Sequence, residues 1–513
     1  MMLRFTITSR IKETLGFFLG MRPERRRPSL VPQVMQRSPL VVIAAAFSAF
    51  SLLAVPRVAG QEDGPGGRSG ALVDSPENGP RNWALLIGVA NYEQASPLPS
   101  VVNDVIQLGD TLTLRGDYDA ANVLMLYDRA GNRARRPAKA LLEEQVAEFL
   151  KRPGPGDQVL VYFSGHGVRD DEGRLYLAPV DCDPQRPFET AIPVQWFRDQ
   201  IDRCPAKTKL LLLDSCHAGS EKGEELDEQV SAKDLGSAFR NAEGVATIAS
   251  SQANEKSQMW GAKDQSLFTY WLCQALKGHA DGDLDGEIAF SELYRYVHRN
   301  VSFAAREFLR RPQTPVRIIR SGTVGDPRVL RIKPQSLKRT LADIGEELAW
   351  TMEARRIPTV GVLEFTNVQR GQETLGADFA LLGNSCAETL HDLMSDLGFG
   401  KFSMVDRRRL QEELREQHFD IFQLASTKSL SKLSQATDGM PSLIVGQISN
   451  RQGRVVHLKA MLKATAEPLE YASAGGTALL NESEWAMLGR SAYLPAEQVN
   501  PGLNWDKQPE QIA

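Results

Sequence analysis

Asp157–Asp170, DQVLVYFSGHGVRD, and Thr208–Ser220, TKLLLLDSCHAGS, are the two stretches that decide the reading of this chain. Each opens on an unbroken run of branched and aromatic apolar residues and closes on a small polar turn. A short apolar run without alternation marks a strand buried on both faces. Three similar runs, Trp83–Val89, Val123–Tyr127 and Val245–Ala249, accompany them, and helix-like spacing occupies Val102–Leu114, Ala138–Leu150 and Ser266–Leu276. Strands alternating with helices predict an α/β unit, a mainly parallel sheet with helices on both faces. Functional groups in such sheets collect just past the carboxyl ends of the strands. His166, between Gly165 and Gly167, and Cys216 both fall at such ends.

That pairing suits nucleophilic catalysis. A free thiol, with a pKa around 8.5, is largely protonated near neutrality. A nearby imidazole can take its proton and later return it to a leaving amine. The amides of Gly167 and Cys216 are candidate donors to the oxyanion of a tetrahedral intermediate. Either residue alone has a plainer reading, Cys as a small core hydrophobe and His as a satisfied polar group. Together, at two strand ends and 50 residues apart, they match the ~50-residue His-to-Cys spacing of caspases. His217 is a competing base, but its place next to Cys216 tends to turn its ring away from the thiol.

SGHG followed by DSCHAG resembles the metacaspases and bacterial caspase-like peptidases of the peptidase C14 superfamily. The resemblance runs from about Asn82 to Gly322 and takes in WALLIGVANY, LPSVVND, SLFTYWLCQALKG and RRPQTPVRIIRSG. True caspases carry QAC-x-G at the cysteine, which favours the metacaspase side. The resemblance implies a cysteine endopeptidase acting on proteins or peptides, with no cofactor required for the chemistry. It also implies a substrate pocket (S1) lined by Asp104 and Asp214, whose two carboxylates would favour Arg or Lys and repel an acidic side chain. The alternative is that Asp104 decorates a helix and Asp214 orients the turn before Cys216. Family members are commonly cut between the cysteine strand and the next one, here the polar segment 221–244, with Lys222, Lys233 and Arg240 as self-cleavage candidates. An uncut solvated loop fits equally. Metacaspases also carry an acidic calcium site after the histidine strand; here only Asp170, Asp171 and Glu172 stand close behind, with Asp181 and Asp183 further on, and the longer acidic insertion is missing.

A second metal motif is independent of that site. ADGDLDGEIAFSELYRYV places Asp281, Asp283, Asp285, Gly286 and Glu292 at the D-x-D-x-D-G spacing of an EF-hand loop, with the Glu287 carbonyl at position seven. The expectation is calcium, or a structural turn of the same shape.

The 513 residues exceed one ordinary domain. Arg339–Glu353, Leu375–Leu397, Arg407–Gln417 and Ser429–Thr437 are predicted helices of a second, smaller α/β unit. Its predicted strands are Thr359–Phe365 and Phe402–Val405, then an antiparallel meander of Ser442–Ile448, Val455–Lys463 and Leu469–Ala478. TVGVLEFTN, LGADFALLGNSCAETLHDLM, FSMVDRRRLQEELREQ and SLIVGQISN resemble the envelope α/β domains of curli-secretion channel proteins and flagellar outer-membrane lipoproteins, which implies binding to an envelope partner. A generic accessory domain is the plainer reading.

The expected division is a signal-peptide region (1–60), a flexible linker (61–80), the caspase-like domain (81–325), a linker with a helix (326–356), the second domain (357–495) and a polar tail (496–513). Leu40–Val55 is short for a membrane span of ~20 residues and right for a signal core, with Val58-Ala59-Gly60 before a cleavage point. Export to a periplasmic or extracellular space is expected, or else attachment by an uncleaved anchor; the start codon could be Met21 or Met35. A net charge of −4 argues against a nucleic-acid partner. Five cysteines without a CxxC pair argue against a zinc site or a dense disulfide framework. A non-catalytic scaffold built on the same fold is the competing functional class.

Overall fold

A computed structural model describes residues 79–128, 136–215, 230–240, 242–319, 325–367, 380–416, most of 431–440 and 441–487. The signal region, nearly all of the linker, Cys216, Lys222 and the polar tail lie outside the described residues.

The first domain runs β1 (Asn82–Gly88), α1 (Val101–Asp110), β2 (Val123–Tyr127), α2 (Lys139–Leu150) and β3 (Gln158–Gly165). Three short strands follow, β4 (Gly167–Arg169), β5 (Leu175–Leu177) and β6 (Ile192–Pro193), with helices α3 (Pro187–Thr190) and α4 (Val194–Arg203). Next come β7 (Thr208–Ser215), α5 (Ala232–Ala238), β8 (Val245–Ala249), the pair β9 (Met259–Trp260) and β10 (Gln265–Ser266), α6 (Leu267–Gln274), β11 (Glu287–Ala289), α7 (Phe290–Ala304) and β12 (Val316–Ile319). The central sheet has the order β12-β8-β7-β3-β1-β2. All of its pairs are parallel except β12 on β8.

β3 and β7 are buried along nearly their whole length, as their unbroken apolar runs require. Alternate residues enter opposite layers. Leu160, Tyr162, Leu210 and Leu212 join the layer of α1, α6 and α7. Val161, Phe163, Leu211 and Leu213 join that of α2, α4 and α5. Burying a Leu or Phe side chain contributes about 1.5–3 kcal/mol, so both layers have reason to stay closed. The helices end later than the periodicity indicated because α1 and α6 each run on into a wider turn, Thr111–Arg115 and Ala275–His279.

The stretch expected to be a linker with a helix is structured throughout its described part. β13 (Arg328–Arg331) pairs with β11, and β14 (Gln335–Ser336) and α8 (Leu337–Arg355) lead into β15 (Thr359–Asn367), α9 (Ala380–Leu397), β16 (Ser403–Met404) and α10 (Arg407–Glu416). The meander β17 (Ser442–Gln452), β18 (Val455–Ala464) and β19 (Glu470–Leu479) completes a sheet ordered β14-β19-β18-β17-β15-β16. The expected helix over Ser429–Thr437 falls partly outside the described residues.

β19 packs closely on the first domain. Gly278, at φ 120°, lies against Gly475 and Gly476, and a Cβ at Gly278 would come within 2.8 Å of the Gly476 Cα. The buried His279 ring, through Nδ1, bonds the Gly475 carbonyl at 2.8 Å. Burial drives this imidazole down to about 4, the Lys277 charge adding to the shift. Gly278→Ala forces both a left-handed backbone and a backbone clash, so a loss of about 2–3 kcal/mol is expected. Urea unfolding checks it; an unchanged midpoint would show that the contact can be given up without cost.

Candidate active site

The register brings Ser164 beside Asp214 and Gly165 beside Ser215. The next residues in the chain are His166 and Cys216. Cys216 itself lies outside the described residues.

His166 is fixed from three directions. Its Nε2 is 2.9 Å from the Ser96 carbonyl. A carbonyl only accepts, so Nε2 carries the hydrogen and Nδ1 is left as the basic nitrogen. The backbone N–H of His166 donates to the Tyr92 hydroxyl at 2.7 Å, and the Tyr92 ring lies 4.6 Å from the imidazole, centroid to centroid. Gly165 is required here, because a Cβ would stand 2.8 Å from the Tyr92 oxygen. Ala178 donates to the His166 carbonyl at 3.0 Å, just before the β4–β5 ladder opens with Gly167 opposite Leu177.

Asp104 and Asp214 meet at the same edge, both fully buried. Asp214 Oδ1 accepts from the Ser257 hydroxyl at 2.6 Å. Its Oδ2 accepts from the hydroxyls of Ser266 and Thr269. Asp104 Oδ1 accepts from the Ser266 amide at 2.9 Å. Ser266 therefore bridges the two carboxylates. Among the described residues Asp104 Oδ2 has no hydrogen-bond partner. Burial raises the Asp104 carboxyl well above its ordinary range, and the Asp214 charge raises it further. A cationic side chain would answer both causes.

Tyr92, Ser96, Ser257, Ser266 and Thr269 were not singled out from sequence. Tyr92 lies inside the WALLIGVANY motif, and Ser266 and Thr269 lie inside SLFTYWLCQALKG; the other two carry no sequence signal of their own.

In the acidic loop three carboxylates come together. One carboxylate oxygen from each of Asp281, Asp283 and Asp285 lies within 4.8 Å of the others. Asp281 accepts from the amides of Asp285 and Gly286, and Gly286 turns at φ 80°. Burial raises Asp281 to about 7, with Glu292 and Asp285 adding their charges. Glu292 accepts from the amides of Gly282 and Ala289 and caps α7. The Glu287 side chain turns to Arg328 and Arg331, leaving only its carbonyl for the loop. This hard oxygen set fits calcium.

Elsewhere the acids are engaged by the protein. Asp170 holds Arg174 and Tyr176, Asp181 caps the start of α2, and Asp183 pairs with Arg186. In the segment expected to be a polar loop, Lys233 stands on α5, whose Ala232, Leu235 and Gly236 are buried, while Arg240 is exposed just beyond it.

Residues 81–321 match the family model described as the Caspase domain. These residues are a caspase domain. Metacaspase-7 of Arabidopsis thaliana is 28% identical over 163 residues, 29% of this chain and 38% of that protein. Metacaspase-2 of Trypanosoma brucei brucei is 29% identical over 157 residues, 29% of this chain and 44% of that protein. The aligned part spans less than half the length of these relatives. Among solved structures, pro-sf-caspase-1 covers 47% of this chain and 92% of its own at 13% identity and a TM-score of 0.31. The LpoB C-terminal domain of Salmonella enterica covers 28% of this chain and 98% of its own at 14% identity and a TM-score of 0.22.

Proposed function

We propose that the caspase domain is an endopeptidase that cleaves after Arg or Lys, with Cys216 as nucleophile and His166 as base. The observation that carries this reading is the buried Asp104–Asp214 pair, with Asp104 Oδ2 unmatched, beside the strand that leads into Cys216. Buried polar groups rarely go unmatched, and a guanidinium or ammonium supplies the missing donor. In the reaction, Nδ1 of His166 takes the thiol proton and the thiolate attacks the scissile carbonyl. The amides of Gly167 and Cys216 hold the oxyanion. The imidazolium then protonates the leaving amine, and water hydrolyses the thioester to release the acid and the thiol.

The acidic loop from Asp281 to Glu292 is proposed to hold calcium, and Arg240 is the better exposed of the two self-cleavage candidates among the described residues. Export, directed by the N-terminal segment, and an envelope partner for the second domain complete the proposal.

Fluorogenic peptides with Arg, Lys or Asp at P1, run with and without calcium, test it. Hydrolysis after Arg and Lys is expected and none after Asp; a preference for Asp, or no hydrolysis of any peptide, overturns the reading. Calorimetry tests the loop separately. Glu292→Gln removes one of its charges and is expected to weaken calcium binding at least tenfold, and absence of uptake by the wild type at millimolar calcium would leave the loop a turn.

A further inference from the structure

Apart from the Thr269 hydroxyl of α6, the donors to the S1 carboxylates come from the two ends of one hairpin. β9 pairs with β10, Trp260 opposite Gln265 and Met259 opposite Ser266. Just before β9, Ser257 donates to Asp214; at the end of β10, Ser266 donates to both Asp214 and Asp104. A hairpin of two residues per strand has little stability of its own, so its position depends on what packs against it.

One support is α1, the helix that carries Asp104. The Asn103 side-chain amide donates to the Asp264 carbonyl at 2.8 Å, and the Ser100 hydroxyl contacts the Met259 sulfur at 3.3 Å. Another support comes from the second domain. Trp350 of α8 meets the Trp260 ring edge-on, 5.7 Å between centroids, and also lies against Trp271 at 4.8 Å and Phe308 at 5.6 Å. α8 is itself held firmly. Leu337, Leu341, Ile344, Leu348 and Met352 pack in the second core, while Asp343 binds Arg115 of the caspase domain at 2.6 Å.

We propose that Trp350 is a positioning residue for the specificity pocket. By bracing Trp260 it fixes the hairpin whose ends furnish the hydrogen bonds of Asp104 and Asp214, so the second domain takes part in selecting the P1 side chain. The inference rests on the assignment of those carboxylates to the pocket.

The test uses the full chain and two peptides, one with Arg at P1 and one with citrulline, which replaces the guanidinium by a neutral urea of the same shape. Trp350→Ala is expected to raise KM for the Arg peptide at least fivefold and to narrow the Arg-over-citrulline ratio by a similar factor. Alkylation of Cys216 by iodoacetamide, read against Cys216→Ala, should proceed at the wild-type rate, and Trp350→Phe should restore the ratio. Where circular dichroism shows that Trp350→Ala has not folded, Trp350→Leu, which keeps apolar volume without a ring, takes its place. A folded variant with wild-type KM and ratio overturns the proposal. Loss of alkylation in step with turnover also overturns it, since the damage would then be general. Wild-type protein that cleaves neither peptide, though Cys216 alkylates, overturns the peptidase reading itself.

Discussion

Cys216→Ala and His166→Ala are each expected to lower turnover of an Arg peptide by at least about a thousandfold, because each removes one half of a single proton-transfer and nucleophile unit. The losses should not multiply in the double variant, since either change alone already removes the unit. Far-UV circular dichroism should be unchanged for both. His166 sits at the mouth of the sheet, outside the apolar layers, and the groups that fix it, Tyr92 and the Ser96 carbonyl, belong to a loop with its own bonds to the scaffold, among them Leu98 N–H to the Ala90 carbonyl. Residual hydrolysis at the wild-type rate in purified Cys216→Ala protein would sink the mechanism. Turnover that survives in His166→Ala and is then lost on replacing His217 would move the base to that neighbour.

Asp104→Ala should reduce kcat/KM for an Arg substrate at least tenfold, while the citrulline peptide loses much less. Removing one partner from a desolvated charged contact costs about 2–5 kcal/mol, and each 1.4 kcal/mol is a factor of ten. Asp104 is the cleaner probe of the pair, because Asp214 lies two residues before Cys216 and its loss would also disturb that turn. Stability should move the other way. The folded carboxyl of Asp104 is raised above its unfolded value by burial and by Asp214. A raised acid contributes stability that is present below the unfolded pKa and lost as pH rises through the folded one. Where the folded carboxyl ionises it therefore weakens the fold, and Asp104→Asn should melt no lower than wild type there. The same shift predicts that binding of the Arg peptide strengthens as pH rises through the titration of Asp104. An Arg-to-citrulline ratio untouched by Asp104→Ala would remove this carboxylate from the pocket even if the dyad stands.

The sequence by itself determined what repeats along the chain. Unbroken apolar runs at Gln158–Phe163 and Lys209–Leu213 can only be strands covered on both faces, and the glycine-flanked His166 and the DSC turn at Cys216 stand out because they interrupt those runs. The acidic cluster of Asp281, Asp283 and Asp285 was legible for a related reason: its carboxylates follow one another at fixed offsets, so local geometry alone brings them together. What needed tertiary structure was every contact that spans many residues or uses only the backbone. Ser96 orients His166 from 70 positions away through a carbonyl, which any residue could supply, so no side-chain signal marks it. Ser257, Ser266 and Thr269 look like ordinary hydroxyl residues until the fold gathers them on Asp214. The stretch before Ile357 read as a connection because α8 divides its faces between two cores, and an apolar period shared in that way looks weak on a single helix. Only the packed structure sets Trp350 against Trp260, and a ring–ring contact between chain segments so far apart leaves no trace in the order of residues.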